Sequence, residues 1–251
     1  MLRLPRRERG RVERKQDPVS RLSAFALAVG VMIGAAACSD HGRMPDAPEP
    51  RRPAADALSI VSSGFTIVDD GDWLSAAVQV NNPTLFVALD TQVTASLIDE
   101  RGEVVAESAV EFTITALRSN GQTAYATELS AAELDVDLDS VADIEVDRID
   151  TSSWKTDSEL DHPIAAISYS EITYTESMQR LELSFEATNQ KPQVMPSVRF
   201  TAVFFDETGK TVLGGCSESW PMSGETQDVS IMCRVPDSAD QDKTRVYTDP
   251  S

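Results

Sequence analysis

Two stretches of this chain resemble each other, and this internal repeat limits the folds that the chain can adopt. Residues 200–215 read FTAVFFDETGKTVLGG, and residues 92–107 read QVTASLIDERGEVVAE. Each copy runs from alternating apolar residues through an acidic turn, closed by Gly102 or Gly209, into a second apolar run. Because glycine can take the positive φ that a tight turn needs, each copy predicts a β-hairpin. Two copies predict two similar β domains.

Alternating apolar positions and turn residues predict six strands in each half of the chain. The first half has them at residues 59–68, 73–81, 92–99, 104–117, 123–129 and 144–149. The second half has them at residues 166–174, 181–188, 198–205, 211–218, 226–235 and 245–247. We therefore expect an all-β chain with a β-sandwich domain at 58–150, a linker at 151–162 and a second β-sandwich domain at 163–251.

The N-terminal residues have the pattern of an export signal. Eight basic residues lie within the first 21, and the uncharged run LSAFALAVGVMIGAAA follows at residues 22–37. This run is shorter than the roughly 20 apolar residues of a transmembrane helix. Residues 1–37 are therefore predicted to be a signal peptide. Residues 38–57 are rich in proline and poor in apolar side chains, which predicts a disordered tether.

The end of the predicted signal peptide, Ala35-Ala36-Ala37-Cys38, resembles a bacterial lipobox, in which the cysteine becomes the lipidated first residue. Ala35 stands where lipoboxes usually carry Leu, and the same alanines also suit ordinary signal cleavage. A diacylglyceryl group on Cys38 would supply the two acyl chains that stable membrane anchoring takes. The sequence thus predicts an extracytoplasmic protein held at the cell membrane by a lipid.

The cysteine count is consistent with this layout, because Cys216 and Cys233 can pair and leave Cys38 over. Their positions on successive strands allow a disulfide within an antiparallel pair. The alternative is two buried free thiols. At the aligned positions the first repeat has Ala109 and Ser130, so it would lack this bond.

Charge narrows the classes of partner. After residue 37 the chain has 14 basic and 38 acidic residues, a balance of −24. Such a surface repels phosphate backbones and anionic lipids, which argues against nucleic acid and leaves membrane contact to the lipid anchor. We expect an envelope protein as the partner.

The order of the repeated features resembles the FxLYD family of immunoglobulin-like modules in bacterial lipoproteins. The features are Asn82 or Asn189 at a strand end, an apolar strand ending in Asp-x-x-Gly, and Gly-Gln-Thr or Gly-Glu-Thr before a later strand. Ala95 and Ala202 stand where that family has Phe. The resemblance implies two tandem immunoglobulin-like β-sandwiches without known catalytic residues.

The acidic runs are the candidates for cation binding. Asp135, Asp137 and Asp139 have the spacing of the start of a Ca²⁺ loop, but Ser140 and Val146 stand where that loop needs Gly and Glu. A solvated edge strand explains the same spacing, with the three carboxylates on one face. The acidic turn at residues 69–72 has the same two interpretations.

The sequence carries no motif for a cofactor, a metal or a catalytic nucleophile, and neither of its two histidines, His41 and His162, sits in a ligand spacing. We expect no enzyme. The predicted function is protein binding or scaffolding in the bacterial cell envelope. The alternative is binding of a cation or small ligand by the acidic loops.

Overall fold

The fold was analysed in a computed structural model of the chain. The structure describes residues 51–160, 167–177, 180–190, 194–222 and 225–250. The predicted signal peptide, Cys38 and most of the predicted tether lie outside these residues. The described end of the tether forms a short 3₁₀ turn, Ala55–Ala57, and Ala57 packs against the core of the first domain. Within the described ranges no helix is long and apolar enough to cross a membrane.

Thirteen strands dominate the described residues. The strands of the first half are β1 Ser59–Val68, β2 Trp73–Asn82, β3 Val87–Asp99, β4 Val104–Leu117, β5 Gly121–Ser130 and β6 Val141–Lys155. Those of the second half are β7 Ile167–Tyr169, β8 Thr173–Ser177, β9 Arg180–Asn189, β10 Met195–Phe205, β11 Val212–Met222, β12 Thr226–Cys233 and β13 Arg245–Pro250. The helical elements are α1 Ala131–Leu134 and the 3₁₀ turns Ala55–Ala57, Asp69–Gly71, Leu138–Ser140, Asp157–Glu159 and Gln241–Lys243.

The strands form four antiparallel sheets, two in each half of the chain. Sheet order in the first half is β1-β2-β5 and β4-β3-β6, and in the second half β12-β9-β7, with β8 also on β9, and β11-β10-β13. When β7 and β8 are counted as one strand, the first, second and fifth strands of each half share one sheet and the third, fourth and sixth share the other, as in immunoglobulin-like sandwiches. The prediction of an all-β fold built from sandwiches is confirmed.

Each sandwich has its own apolar core, supplied by the inward face of its two sheets. In the first, Leu74, Val78 and Leu97 are fully buried between the sheets. In the second, Leu183, Phe200 and Ile231 hold the corresponding place. The apolar residues whose alternation predicted the strands therefore point into the core, and the residues between them point to the outer face of the sheet. The hairpins predicted at the two repeats pair as β3 with β4 and β10 with β11.

The predicted linker begins within a strand. β6 continues to Lys155 and stays paired with β3 as far as Val87, so the segment expected to link the domains from residue 151 starts in the first sandwich. Trp154 explains the extension, because its side chain is buried in the core of that sandwich. The polar residues before it had suggested a linker, but Thr151 and Ser153 continue the pairing of β6 with β3.

The acidic run after β5 is not the edge strand that its spacing suggested. Ser130 and Glu133 form a capping box that starts helix α1, and Asp135 ends this helix in the left-handed conformation with φ 54°. Asp137 then caps the next 3₁₀ turn by accepting from the backbone N–H of Asp139. Asp and Asn favour such local roles because their short side chains reach nearby backbone groups.

Cys216 and Cys233 form the predicted disulfide, with their Cα atoms 5.6 Å apart. The bond does not join an antiparallel pair, however. Cys216 lies on β11 and Cys233 on β12, which belong to different sheets, so the disulfide connects the two sheets through the core of the second sandwich. The sequence could show that the strands are successive, but not that the chain changes sheet between them.

Candidate functional site

The two sandwiches contact each other through whole sheets, and we call this contact surface the seam. Sheet β1-β2-β5 of the first sandwich packs on sheet β11-β10-β13 of the second. The centre of the seam is a separate buried apolar cluster of six residues. They are Ala77, Ala124, Ala126, Val203, Phe205 and Val212. The four sheets are therefore layered face to face.

Small residues let the two backbones approach closely. The hydroxyl of Ser75 donates to the carbonyl of Gly215 at 3.1 Å and accepts from its N–H at 3.0 Å. A Cβ on Gly214 would stand 2.5 Å from the carbonyl oxygen of Ser75, and one on Gly215 would stand 2.7 Å from Cβ of Ala126. Side chains at these two positions would force the sheets apart.

The seam also satisfies backbone groups on two edge strands of the first sandwich. Ser217 donates to the carbonyl of Ala126 on edge strand β5 at 2.8 Å and accepts from its N–H at 3.3 Å. Arg199 donates to the carbonyl of Thr113 on edge strand β4 at 2.9 Å. Edge strands are the parts of a sheet that most readily pair with other chains. Here side chains of the second sandwich form hydrogen bonds with the backbone groups of the edge strands that could otherwise pair.

Asp249 on the last strand, β13, reaches the same edge of β4. Its carboxylate accepts from the N–H groups of Thr115 at 3.0 Å and Ala116 at 3.3 Å, with a guanidinium nitrogen of Arg199 at 3.7 Å. Burial raises the pKa of Asp249, and these donors and Arg199 oppose the rise. Because a raised pKa favours the protonated form, the contribution of Asp249 to stability is largest in acid and falls as the pH rises through its folded pKa.

Arg234 joins the two sandwiches at one end of the seam. Its side chain is about 10% exposed and donates to Glu128 at 2.7 Å, while its Nε donates to Asp69. Its backbone N–H also donates to Glu128, and its guanidinium lies 3.6 Å from the ring centroid of Trp73. A buried guanidinium with this many partners fixes the relative position of the elements that supply them.

Beside Arg234 a cleft of about 860 Å³ opens between the sandwiches. The acidic turn at residues 69–72, one of the predicted cation candidates, forms one wall, and Pro236 and Asp237 line the other. Asp69 in this wall already accepts from Arg234. Among the residues that the structure describes, no group of three or more acidic, His or Cys side chains is arranged to hold a metal ion.

The repeated acidic turns are closed by their own aspartates. Asp206 Oδ1 accepts from the hydroxyl of Thr208 at 2.8 Å and from the N–H groups of Lys210 and Thr211 at 3.1 and 3.2 Å. These bonds lower the pKa of Asp206 to about 2, with the Thr208 hydroxyl contributing most. Asp99 has the same arrangement with Arg101 and Glu103, and its backbone bond from Glu103 lowers its pKa. In both turns the carboxylate of the first aspartate accepts from backbone N–H groups of the same turn, which supports the alignment of the two repeats.

Sequence reasoning found the disulfide and the turns but missed the seam. The seam residues belong to no sequence motif; they include Ser75, Arg199, Arg234 and Asp249. Alanine and serine on a strand are also typical of an ordinary half-exposed face, so they give no signal of a buried contact. One signal was present in the sequence. Gly214 and Gly215 interrupt an apolar strand, and glycine inside a strand often marks a close approach of another backbone.

Comparison with known proteins gives no relative by sequence. No protein-family model matches the chain, and no curated protein matches it. Among solved structures, the crystal structure of red sea bream transglutaminase covers 71% of this chain at 13% identity and a TM-score of 0.26. This chain spans about a quarter of that protein, 27% of its length. A likeness at this level gives no basis for assigning an activity.

Proposed function

We propose that this protein is a lipid-anchored, extracytoplasmic lipoprotein of the bacterial cell envelope, whose two immunoglobulin-like sandwiches bind or scaffold another envelope protein. The observation that carries the proposal is the seam. Two domains that share a buried apolar cluster and bond each other's edge strands move as one body. A rigid body presents surfaces at fixed spacing, which suits recognition of a protein more than turnover of a substrate.

The anchor in this proposal is Cys38, at the end of the apolar run and within a sequence that resembles a lipobox. Residues 38–57 would then set the distance between the membrane and the first sandwich. Arg52, near the end of this segment, pairs with Glu159 at 3.1 Å, so the last part of the tether follows the first sandwich. The span that remains free is therefore shorter than the whole proline-rich stretch.

The distribution of charge supports a basic partner. Arg199 and Arg234 have their guanidinium groups directed to carboxylates at the seam, and Arg245 lies 4.7 Å from the ring centroid of Phe205 in the seam. Because these three arginines have partners at the seam, they do not offset the excess of 38 acidic over 14 basic residues after residue 37 elsewhere on the surface. Acidic faces accelerate encounter with basic proteins and repel nucleic acid.

Capture from crosslinked membranes tests the proposal. Tagged wild-type protein and Cys38→Ala would be captured from crosslinked membranes side by side, with lipid on Cys38 and bound proteins identified by mass spectrometry. We expect a lipidated wild type that brings down a stoichiometric envelope protein, and an unlipidated variant that does not. Wild type that is lipidated but comes down alone would contradict protein binding, and unmodified Cys38 would contradict the anchor.

The cation-binding alternative makes a separate prediction. A protein that binds Ca²⁺ only when folded melts at a higher temperature when Ca²⁺ is added. The carboxylates of Asp137 and Asp206 instead accept from backbone N–H groups of their own turns, and that of Asp69 accepts from Arg234. We therefore expect millimolar Ca²⁺ to leave the Tm unchanged, and a rise of several degrees would favour the alternative.

A further inference from the structure

A second groove along the seam differs from the acidic cleft, because two arginines line it. Its volume is about 480 Å³, and it lies where β5 of the first sandwich meets β9, β10, β11 and β12 of the second. Its walls include Tyr125, Thr127, Arg180, Arg199, Ser219 and Met232. We propose that this groove binds an oxyanion, a carboxylate or phosphate group, through Arg180 and Arg199.

Arg180 has donors to spare. Among the described residues its closest carboxylate is Glu128 at 3.9 Å, which is beyond hydrogen-bonding distance. Each oxygen of the Glu128 carboxylate already accepts one hydrogen bond from Arg234, one from its backbone N–H and one from its guanidinium. The side chain of Arg180 is about 36% exposed. A guanidinium carries five N–H donors in a planar fork, and those of Arg180 can reach a ligand in the groove.

Arg199 is held in place and still has unused donors. One of its nitrogens donates to the carbonyl of Thr113 at 2.9 Å, and its guanidinium lies 5.2 Å from the ring centroid of Tyr125. Its distance of 3.7 Å to Asp249 is an ion pair without a close hydrogen bond. These contacts fix the orientation of the guanidinium before a ligand arrives, so that binding has a smaller entropic cost.

The remaining lining suits a small ligand. Met232 and Tyr125 supply apolar surface, and the hydroxyls of Thr127 and Ser219 are further polar groups. Glu128 and Glu218 also line the groove, and their charge opposes long polyanions more than one compact oxyanion. Because the whole chain is strongly acidic, general attraction cannot concentrate anions on it. Saturable anion binding would therefore report a local site.

The test uses purified full-length protein at low ionic strength and three probes, namely succinate, inorganic phosphate and a tri-glutamate peptide. Binding is followed by NMR of methionine methyl groups labelled with ¹³C. Met232 lines the groove, whereas Met222 is fully buried in the core of the second sandwich and serves as the internal reference. We expect saturable shifts of Met232 with at least one probe and none of Met222.

Arg180→Gln should weaken binding by about tenfold or more, since hydrogen bonds to a charged group are lost. Arg180→Lys, which keeps the charge but not the fork, should be intermediate. Arg148→Gln is the matched control, because Arg148 is an exposed arginine paired with Asp150 outside the groove. It should leave the affinity unchanged.

The probes separate the sources of the oxyanion. Saturation by succinate or phosphate indicates a small acid, and saturation by the peptide alone indicates carboxylates of a polypeptide. The proposal is overturned if no probe saturates, if Arg180→Gln binds as tightly as wild type, or if Arg148→Gln weakens binding equally. This site goes beyond the proposed scaffolding function, and membrane capture can fail or succeed without changing the outcome.

Discussion

Single residues decide whether the two sandwiches can meet. Gly215 shows this most directly, because its two backbone groups are both bonded to the hydroxyl of Ser75 and no side chain fits between the sheets. Gly102, in contrast, has open space around it and is needed for its positive φ of 78°. The same residue type thus serves close packing at one position and backbone conformation at the other.

These two glycines give a matched pair of variants. Gly215→Ala should lower the free energy of unfolding by about 2–3 kcal/mol, because the new methyl group overlaps the carbonyl oxygen of Ala202 on β10 and Cβ of Ala126 across the seam, so that both β11 and the packing of the two sheets must shift. Gly102→Ala should cost only about 1 kcal/mol, the strain of a left-handed alanine. Urea denaturation with an unchanged m-value measures both. Equal costs would show that the seam has room for a side chain.

The aspartate at the repeated turn predicts a pH dependence. The folded pKa of Asp206 is about 2, below its ordinary value of 3.8. A lowered pKa means that the ionised form is favoured by folding, so the contribution is complete above about pH 4 and is lost as the pH falls towards 2. Asp206→Asn should be less stable than wild type at pH 6, and the difference should shrink below pH 4. A constant difference in Tm from pH 6 to pH 2 would contradict this assignment.

At the scale of elements, the two repeats solve the same packing problem in different ways. Cys216 pairs with Ala202 across β10 and β11, and Ala95, at the aligned place in the first repeat, pairs with Val110. By the same reasoning Cys233, opposite Leu181, corresponds to Leu129, opposite Leu74. The sequence alignment had given Ala109 and Ser130, one residue away in each case. An apolar pair in one core therefore takes the place of a disulfide in the other.

This correspondence predicts how the disulfide can be replaced. The double variant Cys216→Ala, Cys233→Ala should lose about 3 kcal/mol or more of unfolding free energy, because the bond closes a loop of 17 residues and the alanines leave a cavity. Cys216→Val with Cys233→Leu should recover part of the loss by filling the core as the first repeat does. Denaturant midpoints of both variants and of reduced wild type check this. No difference between the two double variants would mean that the cores are not equivalent there.

How much of these elements could be predicted from the sequence depends on what each pattern encodes. β1 and β4 have the predicted bounds. In β4 buried and exposed residues alternate from Val110 to Ile114, so the apolar alternation there reports burial of one face directly. β6 was predicted too short because Asp150 and the polar residues 151–153 follow the predicted strand, although Trp154 beyond them is in the core.

The acidic run before β6 was predicted to be an exposed strand, and this was wrong. Aspartates two residues apart suit one face of a strand, but the same spacing arises here from Asp137, which caps a 3₁₀ turn. Burial of Ser75 at the seam has no signature in a single chain.

At the scale of the whole molecule, the seam buries one sheet of each sandwich, β1-β2-β5 of the first and β11-β10-β13 of the second. The other sheet of each sandwich lies outside the seam. Ala77 at the centre of the seam aligns with Ser184 on the free sheet of the second sandwich, with Glu182 and Glu186 two residues to either side. The seam face has Ser75 and Gln79 at those flanking places. Acidic side chains thus stand where a further sandwich would have to pack, so that stacking ends with this pair.

The seam should make the two sandwiches unfold together, and a charge at its centre should separate them. Ala77 is about 1% exposed within the apolar cluster, so Ala77→Glu would bury a carboxylate without a partner and force the sheets apart. Calorimetry of wild type should give one transition, and Ala77→Glu should give two, one for each sandwich with its own core. Ser184→Glu, the same change at the aligned position on the free face, should keep a single transition at nearly the same temperature. A single unshifted transition for Ala77→Glu would mean that position 77 is not enclosed between packed sheets, and it would contradict the rigid spacing on which the scaffolding proposal depends.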